Sequence, residues 1–569
     1  MLSYWKSGLV KMRITKPGTE FIPLACIALV YLVFGHYFAE NPGGHALFLP
    51  FNTATWIPVF FLLGFGLWKL GKSKQFCYSE LSKFLFIACL LLSIPLIYPD
   101  SSFAQSSFRM LGLWAGLLIF VVLQQYDLRG SKLFAVLTIV VIGIWIECLR
   151  YWSIMLTDYF AAGQVWSDYK FGMYGIFQQR NVFASFTATG LVISAYLITQ
   201  YKQQKLGRIF LVIHLLAPIM MYQILVSSAS RAGWYGAVLG VVLILPLMYR
   251  TAGWKVVVLW AFSWVLGYEL SQFLVSAGGF VVPDKDILAL EGPRTYLFPQ
   301  TILMILSKPL LGFGYGTFES SYLHFIADQY AMGKTAMPPL EETFHPHNEL
   351  LFWGAEGGLV PLAGLLLAAW AVWRTIWKLE FYERLAIIGV FFPLVLHSQV
   401  EYPFYASMMH WMTFIILIFY ADSLTNVREV QAIGSYKSLQ LVGIVMPVFT
   451  TWFLVTTIQT GTIYSRFQSR QLPLAAFSEI SNAMVWRNHL NWALYSSALM
   501  TGRERDQPEL IREYINWAPR MISEQPRPQF YEYWILAHLS LEETDEADLL
   551  IAEFRHLFPE REFSMIQVN

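Results

Sequence analysis

The sequence predicts an all-α protein that crosses a membrane about thirteen times and carries a helical domain after the last crossing. The first observation is compositional: 56% of the 569 residues are hydrophobic and only 14% are charged, whereas soluble proteins carry roughly a quarter charged residues. The second is the recurrence of apolar runs of about 17–25 residues. The third is a change at Gln471, after which the chain becomes polar and rich in Trp, Tyr, Glu and Arg.

The predicted spans form a transmembrane domain over residues 1–461. They lie near 21–38, 55–71, 82–98, 108–124, 131–152, 182–200, 208–226, 233–249, 254–275, 350–375, 384–399, 405–421 and 438–461. The first run has no convincing small-residue cleavage site after it, so we interpret it as a span rather than a signal peptide. Three of the four cysteines fall in spans and Cys77 falls in a loop, so none is placed for an extracytoplasmic disulfide.

Positive charge alternates between the loops and predicts the orientation. One set of loops contains Lys72 and Lys74, Arg129 and Lys132, Lys202 and Arg208, Arg250 and Lys255, Arg374 and Lys378, and Arg428 and Lys437. The other set includes loops 39–54 and 99–107, which contain no Lys or Arg. Short loops rich in Lys and Arg stay in the cytoplasm, so the first set is predicted inside. A long loop at about 276–349 and the tail 462–569 are then predicted outside.

The tail is predicted to be a small helical domain and a surface for protein docking. Short amphipathic helices are expected at 475–485, 488–502, 507–518, 527–541 and 543–557, with Gly502 as a stop and Pro508 and Pro526 at helix starts. The helix pairs loosely resemble a tetratricopeptide-type array, although no strict period of about 34 residues is visible.

The charge balance and the topology exclude several functions. A net charge of +1 gives no attraction to nucleic acid. The polar clusters fall on the outside, where cytosolic nucleotides are absent, so a transferred group must arrive already activated in the membrane. A transporter would place ionisable residues at mid-membrane and show inverted repeats, yet the spans are nearly free of charge. A purely structural scaffold leaves the outside Arg and His residues unexplained.

Two arginines on the outside are candidates for binding an anionic substrate. Arg231 follows small residues between two spans, and Arg294 opens an amphipathic stretch at 295–308. The alternatives are a snorkelling interfacial anchor for Arg231 and an ordinary solvated side chain for Arg294. Two guanidinium groups together suit a diphosphate, because guanidinium binds phosphate oxygens bidentately and stays charged.

The segment His345-Pro-His347-Asn348 precedes a predicted span on the same side. His347 is the candidate general base, and Asn348 is expected to orient it or the substrate. His345 is a further substrate-binding candidate. The alternatives are a solvated loop pair and a metal site, but no third ligand stands at a convincing spacing, so we predict no metal.

Two further clusters lie at the outer ends of spans. Gln179, Arg180 and Asn181 are candidates for substrate binding, with a helix cap by Asn181 as the alternative. The segment His397–Pro403 contributes His397 as a binding candidate and Glu401 and Tyr402 as catalytic candidates. Glu401 lies at membrane depth, where carboxylates are costly and usually functional. The Gly312–Gly316 segment lacks the Lys of a phosphate loop, so a sharp turn or close packing is expected.

These motifs together resemble the Wzy/WaaL superfamily, which includes O-antigen ligases, O-antigen polymerases and bacterial O-oligosaccharyltransferases. The matching signatures are Gln179-x-Asn181, Ser230-Arg231, Arg294 with Pro309 and Gly312-x-Gly314, and His347-Asn348 before Glu356-x-Gly358-Leu359. The segments 172–184 and 397–403 and the helical tail are most similar to the PglL-type protein O-oligosaccharyltransferases.

The resemblance implies a glycosyltransferase of the bacterial inner membrane whose active site faces the periplasm. It implies an undecaprenyl-diphosphate-linked glycan as donor, Ser or Thr of a pilin or another periplasmic protein as acceptor, and a metal-independent reaction without a cofactor. The residues carried over are Gln179, Arg231, Arg294, His347 and Tyr402. The alternatives are an O-antigen ligase that acts on lipid A-core and an O-antigen polymerase. Besides donor and acceptor, membrane lipids are the expected partners.

Overall fold

A computed structural model describes residues 21–162, 174–204, 207–276 and 292–561. Within these ranges, twelve helical segments are long and apolar enough to cross a membrane. They contain the helices α2 (Pro50–Ser73), α3 (Glu80–Ser93), α4 (Phe103–Gln124), α5 (Ser131–Ala162), α6 (Arg180–Gln200), α7 (Arg208–Ser228), α8 (Arg231–Ala252), α9 (Trp254–Ser276), α13 (Leu359–Trp377), α14 (Phe381–Ser398), α16 (Met408–Thr425) and α17 (Lys437–Gln468). The first helix, α1 (Phe21–Leu32), continues into a short 3-10 turn at Phe34–His36 and makes a shorter apolar segment.

Every predicted span contains a helix, but the predicted span 350–375 is two helices. A short α12 (Glu349–Gly357) ends before Gly358, and α13 begins at Leu359. Gly358 has φ +69°, and a Cβ atom there would lie 2.4 Å from the carbonyl oxygen of Leu310. Only glycine adopts that conformation at so close a backbone approach without strain. The prediction of one continuous span was therefore wrong, and only α13 is long enough to cross.

The two sets of loops that the charge pattern separates meet at different ends of the helix bundle. At the end with the basic loops, strand β1 (Gln75–Tyr78) pairs antiparallel with β2 (Glu429–Ala432), and Arg374 donates to Glu80 over 2.7 Å. At the other end, Asn181 at the start of α6 and Arg294, which precedes Thr295 in the long loop, both contact Glu401 after α14. We call this second end the polar end. The side of the membrane that each end faces stays a prediction.

Helix α6 lies at the centre of the bundle and positions the polar end. All of its apolar window is buried, and it packs against α8 and α14. Small residues of α8 allow the close approach. A Cβ atom on Gly233 of α8 would lie 2.7 Å from the Cβ of Ala184 of α6, and one on Gly389 of α14 would lie 2.5 Å from the backbone of Gly240 of α8. Membrane helices associate through such contacts. The start of α6, with Asn181, is thereby held beside the end of α14.

The long loop and the tail form one helical layer over the polar end. The loop contains α10 (Arg294–Ser307), which was predicted at 295–308, and α11 (Phe318–Ala331), which was not. A four-residue helix α15 (Pro403–Ala406) follows Glu401. The tail contains a 3-10 turn (Leu474–Glu479) and the helices α18 (Arg487–Glu504), α19 (Pro508–Glu524), α20 (Pro528–Ser540) and α21 (Thr544–Leu557).

The last four predicted tail segments each begin within one residue of the start of a helix, but the helix predicted at 507–518 continues to Glu524. Pro508 is the first residue of α19, as predicted, but α20 begins at Pro528 rather than Pro526. Helix α18 continues past Gly502 to Glu504, and the Gly502 carbonyl accepts from the Gln507 amide over 2.8 Å. In the first predicted segment, 475–485, only residues 475–479 are helical, as part of a 3-10 turn. All four cysteines are buried and free, with Cys77 in β1.

Candidate active site

Glu401 is the centre of the polar end. Its carboxylate lies between the end of α14 and α15 and is 4% exposed. Oε1 accepts from Asn181 Nδ2 over 2.9 Å and from a terminal nitrogen of Arg294, and Oε2 contacts His347 Nδ1 over 2.6 Å. Burial of a carboxylate is tolerated when donors surround it. The four residues come from four separate segments of the chain, and each was a candidate from the sequence.

Each donor stands at the end of an element that fixes it. Asn181 is the second residue of α6, whose N-terminal flanking residue is Gln179. The alternative role of Asn181 as a helix cap is therefore wrong, since its side chain donates to Glu401. Arg294 is the first residue of α10, and its side chain is 36% exposed. The alternative of an ordinary solvated arginine is excluded by its ion pair with Glu401.

The contact with Glu401 determines the tautomer of His347. An ionised carboxylate can only accept hydrogen bonds, so Nδ1 of His347 carries a proton and donates it to Oε2. In the neutral ring, Nε2 then has the free lone pair. The imidazole is 30% exposed, so Nε2 can meet a substrate while Nδ1 is held. This is the arrangement that a general base requires.

His345 holds the backbone of His347 in an unusual conformation. His347 has φ +58°, in the left-handed region that non-glycine residues rarely adopt. Its amide donates to Nδ1 of His345 over 2.9 Å, so the proton of neutral His345 resides on Nε2. His345 is buried, and this burial, with the nearby charge of His347, keeps its pKa well below the ordinary value. The alternative of a solvated loop pair conflicts with the burial of His345.

The environment keeps Glu401 ionised. Burial alone would raise the pKa of its carboxyl, but the hydrogen bond and charge of His347, followed by the charge of Arg294, outweigh burial and lower it. The neighbouring Tyr402 has a pKa raised to about 12, chiefly by burial. Tyr402 therefore stays protonated near neutral pH and can donate a hydrogen bond but cannot act as a base.

Aromatic rings surround the two histidines. The ring of Tyr402 lies 5.2 Å from that of His347 and 5.2 Å from that of His345, between centroids. Phe344 packs edge-on against Tyr402 at 5.3 Å and is stacked with His45 at 4.4 Å. Such packing fixes the imidazole orientation that the Glu401 contact selects, and it reduces access of water to the pair.

The remaining predicted residues lie around this centre. Asn348 caps α12 by accepting from the Leu351 amide over 2.9 Å, and it donates to the Gln399 carbonyl over 2.9 Å. It thereby fixes the segment that bears His347. The carbonyl of His397 accepts from the Glu401 amide over 2.9 Å. The imidazole of His397 is fully buried, and neither ring nitrogen has a hydrogen-bond partner in the described part of the chain.

Two candidates flank Asn181, and one begins the helix beside it. Gln179 and Arg180 are both half-buried at the start of α6. Arg231 is the first residue of α8, and the close contact between Gly233 and Ala184 places it at the same end of the bundle. The helix packing therefore brings Arg231 to the polar end.

A buried ion pair behind the site was missed from the sequence. Glu147 of α5 is fully buried and contacts His36 Nδ1 over 2.5 Å, while its other oxygen accepts from the Ile176 amide over 3.1 Å. This carboxylate therefore anchors the segment that leads to Asn181. The description of the spans as nearly free of charge overlooked it. An acidic residue inside an apolar run is itself a signal of function.

A second missed pair shapes the loop that contains the three glycines. Arg109 of α4 donates to Glu356 over 2.5 Å, and the other oxygen of Glu356 accepts from the amides of Gly316 and Phe318. Gly312, Gly314 and Gly316 all have positive φ, and a Cβ atom on Gly314 would lie 2.3 Å from the Asp100 carbonyl oxygen. The interpretation as a tight turn with close packing is confirmed. Among the described residues, His, Cys, Asp and Glu do not gather in a group that could hold a metal ion.

Comparison with known protein families gives three matches. A family described as O-Antigen ligase matches residues 216–367, one described as Protein glycosylation ligase matches 173–198, and one described as Virulence factor membrane-bound polymerase, C-terminal, matches 385–569. Together they cover well over half of the chain. The first contains Arg231, Arg294 and His347, the second Asn181, and the third Glu401. No curated protein matches the chain by sequence.

Proposed function

Because the chain belongs to the Wzy/WaaL/PglL superfamily of membrane glycan ligases, we propose that it transfers a glycan en bloc from undecaprenyl diphosphate to a Ser or Thr hydroxyl of a periplasmic protein such as a pilin. The reaction is an inverting displacement: the acceptor oxygen bonds to the anomeric carbon, the bond to the diphosphate breaks, and the hydroxyl proton passes to a base. The polar end of the bundle faces the periplasm of a bacterial inner membrane.

The observation that carries this proposal is the contact between His347 Nδ1 and Glu401 Oε2 over 2.6 Å. A Ser hydroxyl is a poor nucleophile at neutral pH, so a base has to remove its proton as the bond forms. His347 Nε2 is that base. Glu401 orients the imidazole and stabilises the imidazolium after proton transfer. Glu401 is therefore the orienting group and not the base.

Arg294 and Arg231 bind the diphosphate that leaves. Negative charge on the leaving group rises in the transition state, and fixed cations in a partly dehydrated site stabilise it. Arg294 keeps donor capacity for this role: one terminal nitrogen contacts Glu401, while its buried Nε has no partner among the described residues.

The tail supports a protein as the acceptor. A lipid acceptor reaches the site within the membrane and needs no helical domain above it. The second candidate is an O-antigen ligase that transfers the glycan to lipid A-core, because one matching family is described as O-Antigen ligase. The two reactions share their chemistry and differ in the acceptor.

The test is glycan transfer in cells that supply a lipid-linked glycan, a candidate pilin and lipid A-core. Wild type is compared with His347→Ala and with a matched control, His324→Ala, which alters an exposed histidine of α11. Glycan on the pilin that is lost only in His347→Ala supports the proposal. Glycan on lipid A-core alone makes the chain a ligase, and full transfer by a folded His347→Ala variant refutes the role of the base.

A further inference from the structure

The tail contacts the segment that bears the proposed base. We call residues 338–348 the base loop, because they contain His345 and His347. After α17, the elements of the tail that the structure describes lie within residues 474–561. A domain that only captured an acceptor protein would need no contact with the base loop. The tail instead contacts this loop, and α11 before it, through ion pairs, a shared apolar core and a row of aromatic rings.

Arginines of the tail pair with acidic residues of the long loop. Nε of Arg527 donates to Oε1 of Glu319 over 2.9 Å, and the two side chains are only 30% and 10% exposed. Arg561 donates to Glu341 of the base loop over 3.1 Å. Partly buried pairs of this kind are less screened than surface pairs, and removal of one partner leaves the other charge poorly solvated.

An apolar core joins the same two parts of the chain. Leu323 and Ala327 of α11 are buried in one hydrophobic cluster with tail residues that include Tyr514, Tyr531 and Phe554. Without the tail, this face of α11 would be exposed to water, and the stabilisation from burying its apolar surface would be lost. Helix α11 is thus part of the tail's core, although it lies in the loop before His347.

A row of rings continues from the tail to the base loop. Trp486 packs on Phe48 at 4.9 Å between centroids, and Phe48 packs on His45 at 5.9 Å. His45 is stacked on Phe344 with an angle of 8° between the rings. Phe344 lies three residues before His347, so the base loop is held from two sides.

We propose that the tail is a positioning element of the active site: through Arg527 and Arg561 it holds α11 and the base loop so that His347 faces Glu401. The tail then contributes to the chemical step itself, whichever acceptor is used. If the tail only docked acceptors, a change in it would lower the affinity for a protein acceptor and leave the chemical step unchanged. The kinetic consequence rests on the proposed function, whereas the effect on the base loop does not.

The test uses the full chain in lipid nanodiscs with a lipid-linked glycan and two acceptors, a folded pilin and a short peptide that contains the acceptor Ser. Arg527→Glu is compared with the charge swap Arg527→Glu/Glu319→Arg and with the control Arg555→Glu, which alters an exposed arginine of α21. Arg527→Glu should lower kcat about tenfold for both acceptors, the scale on which residues of one ion-pair network couple, with KM unchanged. The swap should restore most of the rate.

Hydrogen exchange at the base loop gives a readout that does not depend on transfer. Arg527→Glu should speed amide exchange in peptides that cover 338–348, the swap should slow it again, and Arg555→Glu should match wild type. A raised KM for the pilin alone, or unchanged exchange in Arg527→Glu, overturns the proposal. If wild type glycosylates neither acceptor, the proposed function fails, while the exchange data still decide whether the tail holds the loop.

Discussion

Replacement of Glu401 by glutamine is the sharpest test of the site. The amide keeps the shape of the side chain but has one acceptor oxygen where the carboxylate has two, and three donors face it, from Asn181, Arg294 and His347. Hydrogen bonds to a charged group contribute about 1.5–3 kcal/mol each. At least one donor of the site must therefore face the amide NH2 group, which is itself a donor.

The expected loss follows from the tautomer of His347. If the amide NH2 faces Nδ1, the ring must accept there and carry its proton on Nε2, where the acceptor hydroxyl needs a lone pair. In the Ser-His-Asp triad, the same carboxylate-to-amide change lowers kcat about 10⁴-fold for this reason. Because Asn181 and Arg294 compete for the single oxygen of the introduced amide, we expect a loss of about 10²–10⁴ in kcat.

The assay is single-turnover transfer from a lipid-linked glycan, with thermal unfolding measured on the same samples. Glu509→Gln, at an exposed position of α19, is the matched control and should behave as wild type. Glu401→Asp keeps the charge and should retain more activity than Glu401→Gln. A rate within about threefold of wild type for a stably folded Glu401→Gln would refute the orienting role, since the wrong tautomer alone would cost far more.

Three further outcomes are expected. Burial lowers the pKa of His345 in the folded chain, whereas in the unfolded chain the imidazole takes up a proton as the pH falls through its ordinary pKa of about 6.5. Acidification below that pH therefore destabilises the folded state, and His345→Asn should flatten this part of the profile of apparent unfolding temperature against pH. Glu147→Gln should lower the apparent unfolding temperature more than an exposed Glu→Gln change, because removal of one partner from a buried ion pair destabilises a protein by about 3–5 kcal/mol. A slower transfer rate in the same variant would show that the pair also positions Asn181. Gly314→Ala should destabilise the chain more than Gly333→Ala. Both glycines have positive φ, but only at Gly314 would the added Cβ atom lie 2.3 Å from a backbone oxygen. Equal losses of stability in the two variants would mean that the strain of a positive φ accounts for the whole effect.

The fold was predictable because it depends on local properties of the sequence. Apolar length predicted the spans, and Pro508 predicted a helix start. Two features were missed although they have local signals. Gly357-Gly358 is a pair that marks a helix break, and the buried Tyr322, Leu323 and Ile326 of α11 follow helical spacing. What the sequence does not give is the distant contacts, namely the approach of Leu310 to Gly358 and the packing of α11 against the tail.

The site was predictable as a set of residues but not as an arrangement. Glu401 lies 220, 107 and 54 positions from Asn181, Arg294 and His347. The alternation of charge placed all four at one end of the bundle, and the tertiary fold then brought them into contact. The separate roles of His345 and His347 were not predictable, since a backbone φ of +58° and a buried ring leave no pattern in His-Pro-His.

The burial of Glu401 makes the site depend on its own assembly. An isolated carboxylate at that depth would take up a proton, because burial favours the neutral form. Burial is outweighed chiefly by His347 and then by the charges of Arg294 and His397. His347 comes from the base loop and Arg294 from α10. The charge therefore contributes to stability above the ordinary carboxyl value near 4.5, and that contribution is lost as the pH falls through the lowered pKa. If the base loop moves away, Glu401 loses the hydrogen bond and the charge of His347, the largest of the effects that lower its pKa. The hydrogen-bonded carboxylate that orients the base therefore depends on the position of the base loop.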